Sequence, residues 1–166
     1  IAEWLADKLR HTDNTEVALD GMVNTLSEVN ALKAELRKLG GLTLRTNLDP
    51  LKTIWTDRPE IPTNSVELQP LELAGEETRH KIDHIRKALR SVHADGTLVS
   101  TLDDVAWTLN LRGSDVQCNP VFVAYLLIEQ NRSTLYINKE KLGAEVAEYL
   151  KSQQIEVAEY ADVDKG

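Results

Sequence analysis

The sequence has few of the residues that would cross-link a small protein or hold it in a membrane. Cys118 is its one cysteine, so an internal disulfide bond is excluded. The longest apolar run, Val121–Ile128, has 8 residues, whereas a membrane-spanning helix needs about 20. The first residues show no signal-peptide pattern. These absences favour a cytoplasmic protein that is stabilised by a packed core.

Positive charge is also scarce. The 166 residues include 19 Lys and Arg against 27 Asp and Glu, which gives a formal net charge of −8. Nucleic acids and anionic membranes are bound by basic surfaces, so this charge argues against both as partners. The hydrophobic content of 42% is ordinary for a folded protein, and the length suffices for one domain or two small ones.

Apolar periodicity predicts helices that alternate with strands along the whole chain. The predicted helices lie at 2–9, 28–39, 76–92, 102–111 and 144–153, and the predicted strands at 16–20, 42–46, 97–100, 121–128, 133–138 and 155–160. Ser27 is the predicted N-cap of the second helix, and Asp49-Pro50 opens a predicted short helical turn. A tight turn at 129–132 joins two strands into a hairpin. The sequence therefore predicts an α/β fold with a mixed sheet flanked by helices.

A proline-rich stretch separates two predicted domains. Residues 56–70 contain Pro59, Pro62 and Pro70 and show no periodicity, which is typical of a linker. We predict a first domain at 1–58, a linker at 59–70 and a second domain at 71–166.

Isolated reactive side chains give no convincing active site. His80 and His84 have the spacing of the zinc motif H-E-x-x-H, but Lys81 stands where the catalytic Glu belongs. A solvated helix face explains this pair better. Cys118 has no recognisable base or flanking signature, which favours an inert thiol. We assign no catalytic residue, no metal-binding residue and no cofactor to this chain.

A polar loop directly precedes the most apolar predicted strand and is a better candidate. The sequence "LNLRGSDVQCNP" (109–120) lies where α/β folds place binding groups, at the end of strands. Arg112 could bind a carboxylate through two hydrogen bonds, and Asp115 is near enough in sequence to hold its guanidinium. The alternative is that these side chains merely decorate a loop. The candidate substrate-binding or domain-interface residues are Arg112, Asp115 and Asn119.

This loop also carries a family resemblance. "TLDDVAWTLNLRGSDVQCNPVFVAYLLI" (101–128) resembles the middle domain of three-domain Xaa-Pro aminopeptidases (aminopeptidase P). "IWTDRPEIP" (54–62) is similar to the junction of the first two domains in that family, and "VALDG" (17–21) to the end of the first domain. The resemblance implies a creatinase N-terminal-like fold, with a first domain that lacks its beginning and a middle domain that lacks its end.

The resemblance also implies a function for the whole protein. Enzymes of this family remove the N-terminal residue before a penultimate proline, using two divalent metals, usually Mn²⁺, in a C-terminal "pita-bread" domain. The ligand motifs of that domain do not occur in these residues. The expected partners are therefore the missing catalytic domain, the Xaa-Pro peptide and further subunits of a homo-oligomer. The polar loop would face one of these three. The alternative is a stand-alone interaction domain of the same fold without peptidase activity.

Overall fold

The computed structural model describes residues 1–13 and 15–165, which form two compact units, Ile1–Pro59 and Glu60–Gly166. Each unit has its own hydrophobic core. No helix within the described residues is long and apolar enough to cross a membrane.

The first unit combines two helices with two short strands. In chain order these are α1 (Ala2–Leu9), β1 (Glu16–Ala18), α2 (Leu26–Gly40) and β2 (Thr43–Arg45). Strands β1 and β2 pair in parallel, and both helices contribute to the core beside them. The buried core residues are Ala2, Val29, Leu36, Leu42 and Leu44.

The beginning of α2 differs from the prediction by two residues. Its N-cap is Thr25, not Ser27, because Thr25 and Glu28 form a reciprocal capping box. The Glu28 amide donates to Thr25 Oγ1 at 3.2 Å, and the Thr25 amide donates to Glu28 Oε2 at 3.1 Å. The short helical turn predicted at Asp49-Pro50 is present: Asp49 Oδ1 accepts from the Leu51 amide at 3.0 Å, and the Trp55 amide donates to Leu51 O at 2.9 Å.

The second unit is built on a mixed sheet. Its elements are β3 (Glu67–Leu68), α3 (Leu71–Ala74), α4 (Thr78–Ser91), β4 (Gly96–Val99), α5 (Leu102–Leu109), β5 (Leu111–Arg112), β6 (Tyr125–Glu129), β7 (Ser133–Tyr136), α6 (Ala144–Ser152) and β8 (Glu156–Ala158). The sheet order is β4-β6-β7-β8, with antiparallel pairs except for the parallel pair β7 and β8. The predicted mixed sheet and the β6–β7 hairpin are therefore confirmed. A separate antiparallel pair joins β3 to β5.

Two predicted segments behave differently from expectation. The predicted linker at 59–70 contains β3, which pairs with β5, and the neighbouring Val66 is buried in the core of the second unit. The predicted strand at 121–128 begins at Tyr125. The residues before Tyr125 are mostly buried, but the amides of Val121 and Val123 are used by loop residues and not by a neighbouring strand.

Candidate functional site

The polar loop folds back onto the chain that precedes β6. The Gly113 amide donates to Pro120 O at 3.3 Å, and the Asp115 amide donates to Val121 O at 3.2 Å. A Cβ at Gly113 would lie 2.8 Å from Phe122 Cβ, so this close approach requires glycine. The loop is therefore a defined structure fixed against the core.

Asp115 points into the protein and does not pair with Arg112, so the predicted contact between them is wrong. Its Oδ2 pairs with Lys141 Nζ and accepts from the Val123 amide at 2.7 Å. The Asp115 and Lys141 side chains are 0% and 1% exposed. A carboxylate buried to this degree needs a buried cation, and Lys141 supplies it.

Arg112 contacts backbone and not a charged partner. Its Nη1 donates to Ala106 O at 3.1 Å and to Leu111 O at 2.8 Å, with the side chain half-buried. Ala106 lies in the last turns of α5, where a cation is favoured by the negative end of the helix dipole. Arg112 thus stabilises the junction between α5 and β5.

Asn119 reaches the other end of the same helix. Its Nδ2 donates to Asp103 Oδ1 at 3.2 Å, in the first turn of α5. The three predicted residues therefore point in different directions: Asp115 inward, Arg112 to the end of α5 and Asn119 to its beginning. They shape one loop but do not converge on one ligand position.

A buried lysine on α4 is a feature that the sequence analysis missed. Lys81 Nζ donates to Asn110 Oδ1 at 2.6 Å and to Trp107 O at 2.8 Å, and lies 4.2 Å from the centroid of the Trp107 ring. No carboxylate within the described residues forms an ion pair with it. Burial lowers the pKa of Lys81 below its ordinary value, and the charge of Glu76 offsets part of this effect.

A sequence signal for Lys81 did exist. It stands three residues after Thr78 and four before Ile85, on the stripe of α4 that faces the core. A lysine on an inward stripe indicates a buried ammonium with fixed acceptors. Lys141 gave no such signal, since it lies in a short 3-10 turn without periodicity.

The two histidines on α4 do not form a metal centre with a third ligand. Both are exposed, and His84 Nδ1 lies 3.4 Å from Glu76 Oε1. Across residues 1–13 and 15–165 no group of three or more His, Cys, Asp and Glu side chains could hold a metal ion. Cys118 is exposed on the polar loop.

A cavity of about 270 Å³ lies beside Asn110 in the second unit. Its wall is partly apolar, from Leu68 and Leu71, and partly charged, from Glu77 and Arg79. Arg79 Nε donates to Glu77 Oε2 at 2.7 Å, and this pairing lowers the pKa of Glu77. The charges in the wall therefore compensate each other.

Comparison with known proteins gives a consistent result. Residues 57–166 match the family model described as the creatinase/prolidase N-terminal domain. A probable Xaa-Pro aminopeptidase P of Ajellomyces capsulatus is 39% identical over 149 residues, which cover 89% of this chain and 24% of that protein. The corresponding protein of Ajellomyces dermatitidis is 36% identical over 162 residues, which cover 97% of this chain and 26% of that protein.

A solved structure shows the same architecture. The crystal structure of X-prolyl aminopeptidase from Caenorhabditis elegans, described as a cytosolic enzyme with a di-nuclear active site, superposes with a TM-score of 0.85 at 25% identity. The match covers 99% of this chain and 26% of that one. The chain thus spans about a quarter of the length of these relatives. The predicted creatinase N-terminal-like α/β fold is confirmed.

Proposed function

The chain belongs to the creatinase/prolidase N-terminal domain family, and from that premise we propose that it is the non-catalytic region of an Xaa-Pro aminopeptidase. The observation that carries the proposal is the coverage: relatives named Xaa-Pro aminopeptidase P match 89% of this chain with only 24% of their own length. The remaining three quarters of such a protein have room for a complete catalytic domain.

The metal chemistry belongs, in this proposal, to that remaining part. The solved relative is described as having a di-nuclear active site, whereas the described residues contain no cluster of metal ligands. We expect two divalent ions, with Mn²⁺ as the first to test, and hydrolysis of the bond before a penultimate proline in a cytosolic enzyme. The isolated chain should bind neither ion stoichiometrically.

The role of this chain would be to wall the active-site cleft and to support a homo-oligomer. The polar loop supports this role because hydrogen bonds and an ion pair fix it to the rest of the unit, while other residues of the loop are exposed to solvent. Arg112 holds the loop through half-buried hydrogen bonds and Asp115 through a buried ion pair, while Val116 of the loop is exposed. Rigid loops with exposed apolar groups are suited to contacts with another domain, a peptide or a subunit.

The first test compares the isolated chain with its full-length parent. We expect the parent to hydrolyse an Xaa-Pro peptide when Mn²⁺ is added, and the isolated chain to be inactive under the same conditions. Chelator-sensitive hydrolysis by the pure chain would contradict the assignment. A parent gene that encodes no further domain would favour the stand-alone interaction domain instead.

The second test addresses the loop. In the parent enzyme, Val116→Ala and Asn119→Ala should lower kcat/KM for an Xaa-Pro peptide or shift the mass measured by light scattering. Glu145→Gln, on the exposed face of α6, is the matched control. If both loop variants match the control in activity and mass, the proposed role of the loop is wrong.

A further inference from the structure

The ion pair of Asp115 and Lys141 lies beneath a segment that has little burial of its own. We call residues 60–66 the strap: they are the first segment of the second unit, and they form hydrogen bonds with Lys141 and with Ser114, which precedes Asp115. Residues 60–65 are exposed, and Val66 is buried. The two charged side chains under the strap are almost completely buried. Of the strap residues, Val66 alone belongs to the hydrophobic core.

Three hydrogen bonds attach the strap to the loops that carry the two charges. Lys141 Nζ donates to Pro62 O at 3.4 Å, and the Val66 amide donates to Lys141 O at 3.0 Å. Between them, Asn64 Nδ2 donates to Ser114 O at 2.9 Å, next to Asp115. The strap is thus attached to the same two segments that carry the ion pair, one at Ser114 and Asp115 and the other at Lys141.

We propose that the strap is a conformational latch that the Asp115–Lys141 pair holds shut. With both charges present, Lys141 binds Asp115 and the Pro62 carbonyl together, and water is excluded. When one charge is removed, the other stays buried without compensation and must regain water. Residues 60–65 are exposed and contribute no side chain to the core, so the strap is the part that lifts.

The latch has a direct consequence for the path of the chain. The strap follows Pro59, the last residue of the first unit. While the strap is closed, it is held on the surface of the second unit, and residue 60 has a fixed position there. When it is open, the residues up to Val66 become a flexible tether.

The experiment measures backbone motion in the whole chain by ¹⁵N relaxation. In the wild type, the amides of Ile61, Thr63, Asn64 and Ser65 should have order parameters near the rigid value of about 0.85. In Lys141→Met and Asp115→Asn they should fall below about 0.6, and the Val66 amide should exchange with deuterium at least about tenfold faster. Amides of β6 and β7 should keep their wild-type values.

Lys139→Met is the matched control, because Lys139 is two residues from Lys141 but forms an exposed ion pair, with Glu159. If a single-charge variant fails to fold, the double variant Asp115→Leu/Lys141→Met removes both charges together. We expect that variant to fold with a mobile strap, since the Pro62 carbonyl has then lost its donor. A rigid strap in the double variant, or loss of order that spreads equally into β6 and β7, would overturn the proposal.

Discussion

Two cations contact the carbonyl end of α5, and they do so in different ways. Lys81 reaches Trp107 O from α4, and Arg112 reaches Ala106 O from β5. Both positions are favoured by the negative end of the helix dipole. Lys81 is buried and Arg112 is half-exposed, so the two should respond differently to mutation and to pH.

Arg112 should matter less for folding than Asp115. Arg112→Ala removes hydrogen bonds to two carbonyls and should lower the free energy of unfolding by about 1–2 kcal/mol. Asp115→Ala leaves Lys141 buried without its counter-charge and should cost about 3–5 kcal/mol. Urea unfolding of both variants gives the comparison. A larger loss for Arg112→Ala would mean that the guanidinium is the principal clamp of the loop.

Lys81 should make stability depend on pH in the alkaline range. Its pKa is lowered in the folded state, so between that pKa and the ordinary value the unfolded chain binds more protons. The contribution of Lys81 to the free energy of unfolding therefore rises as the pH increases through that window, and it is lowest at pH values below the window. We expect the difference in unfolding free energy, wild type minus Lys81→Met, to increase from pH about 7 to pH about 10. A difference that stays constant or decreases would contradict the lowered pKa.

At the scale of elements, the capping box of α2 offers a clean comparison between two neighbouring hydroxyls. Thr25→Ala removes the cap and should destabilise the first unit by about 1 kcal/mol. Ser27→Ala is the matched control, since Ser27 lies inside the helix and is exposed. Amide exchange of α2 in both variants checks this. Equal effects of the two substitutions would show that Thr25 contributes no cap energy.

Helices were predictable from the sequence because their apolar stripes extend over several turns, as in α4 and α6. Strands β3 and β5 were not, since two residues define no period. The candidate site likewise has a part that the sequence predicted and a part that it did not. The residues of the polar loop were visible, but the true partner of Asp115 is 26 positions away, and no local pattern specifies such a pairing.

At the scale of the whole molecule, the first unit has the less complete sheet. Strands β1 and β2 each have one strand partner within the described residues. Two short paired strands are marginal by themselves, and open edges promote pairing with another chain. The division at Pro59 is close to the boundary that the prolines predict, and residues 1–58 remain our proposal for part of a first creatinase-like domain.

We predict that the isolated chain associates through this unit as its concentration rises. Sedimentation velocity over a wide concentration range should show a growing dimer or oligomer fraction. If further strands of the proposed parent cover these edges, its homo-oligomer should form through other surfaces. A chain that stays monomeric at the highest concentration would argue that these edges are protected.

The parallel pairing of β7 with β8 has a consequence for folding during synthesis. Strand β7 receives its antiparallel neighbour β6 through a tight turn, but its other neighbour comes after α6, at residues 156–158. Until the ribosome has released those residues, the buried strand β7 has an open edge. A nascent chain of this domain therefore exposes the β6–β7 hairpin for the time taken to translate the 20 codons from Tyr136 to Glu156. That interval is when a chaperone that binds apolar strands would have most to protect.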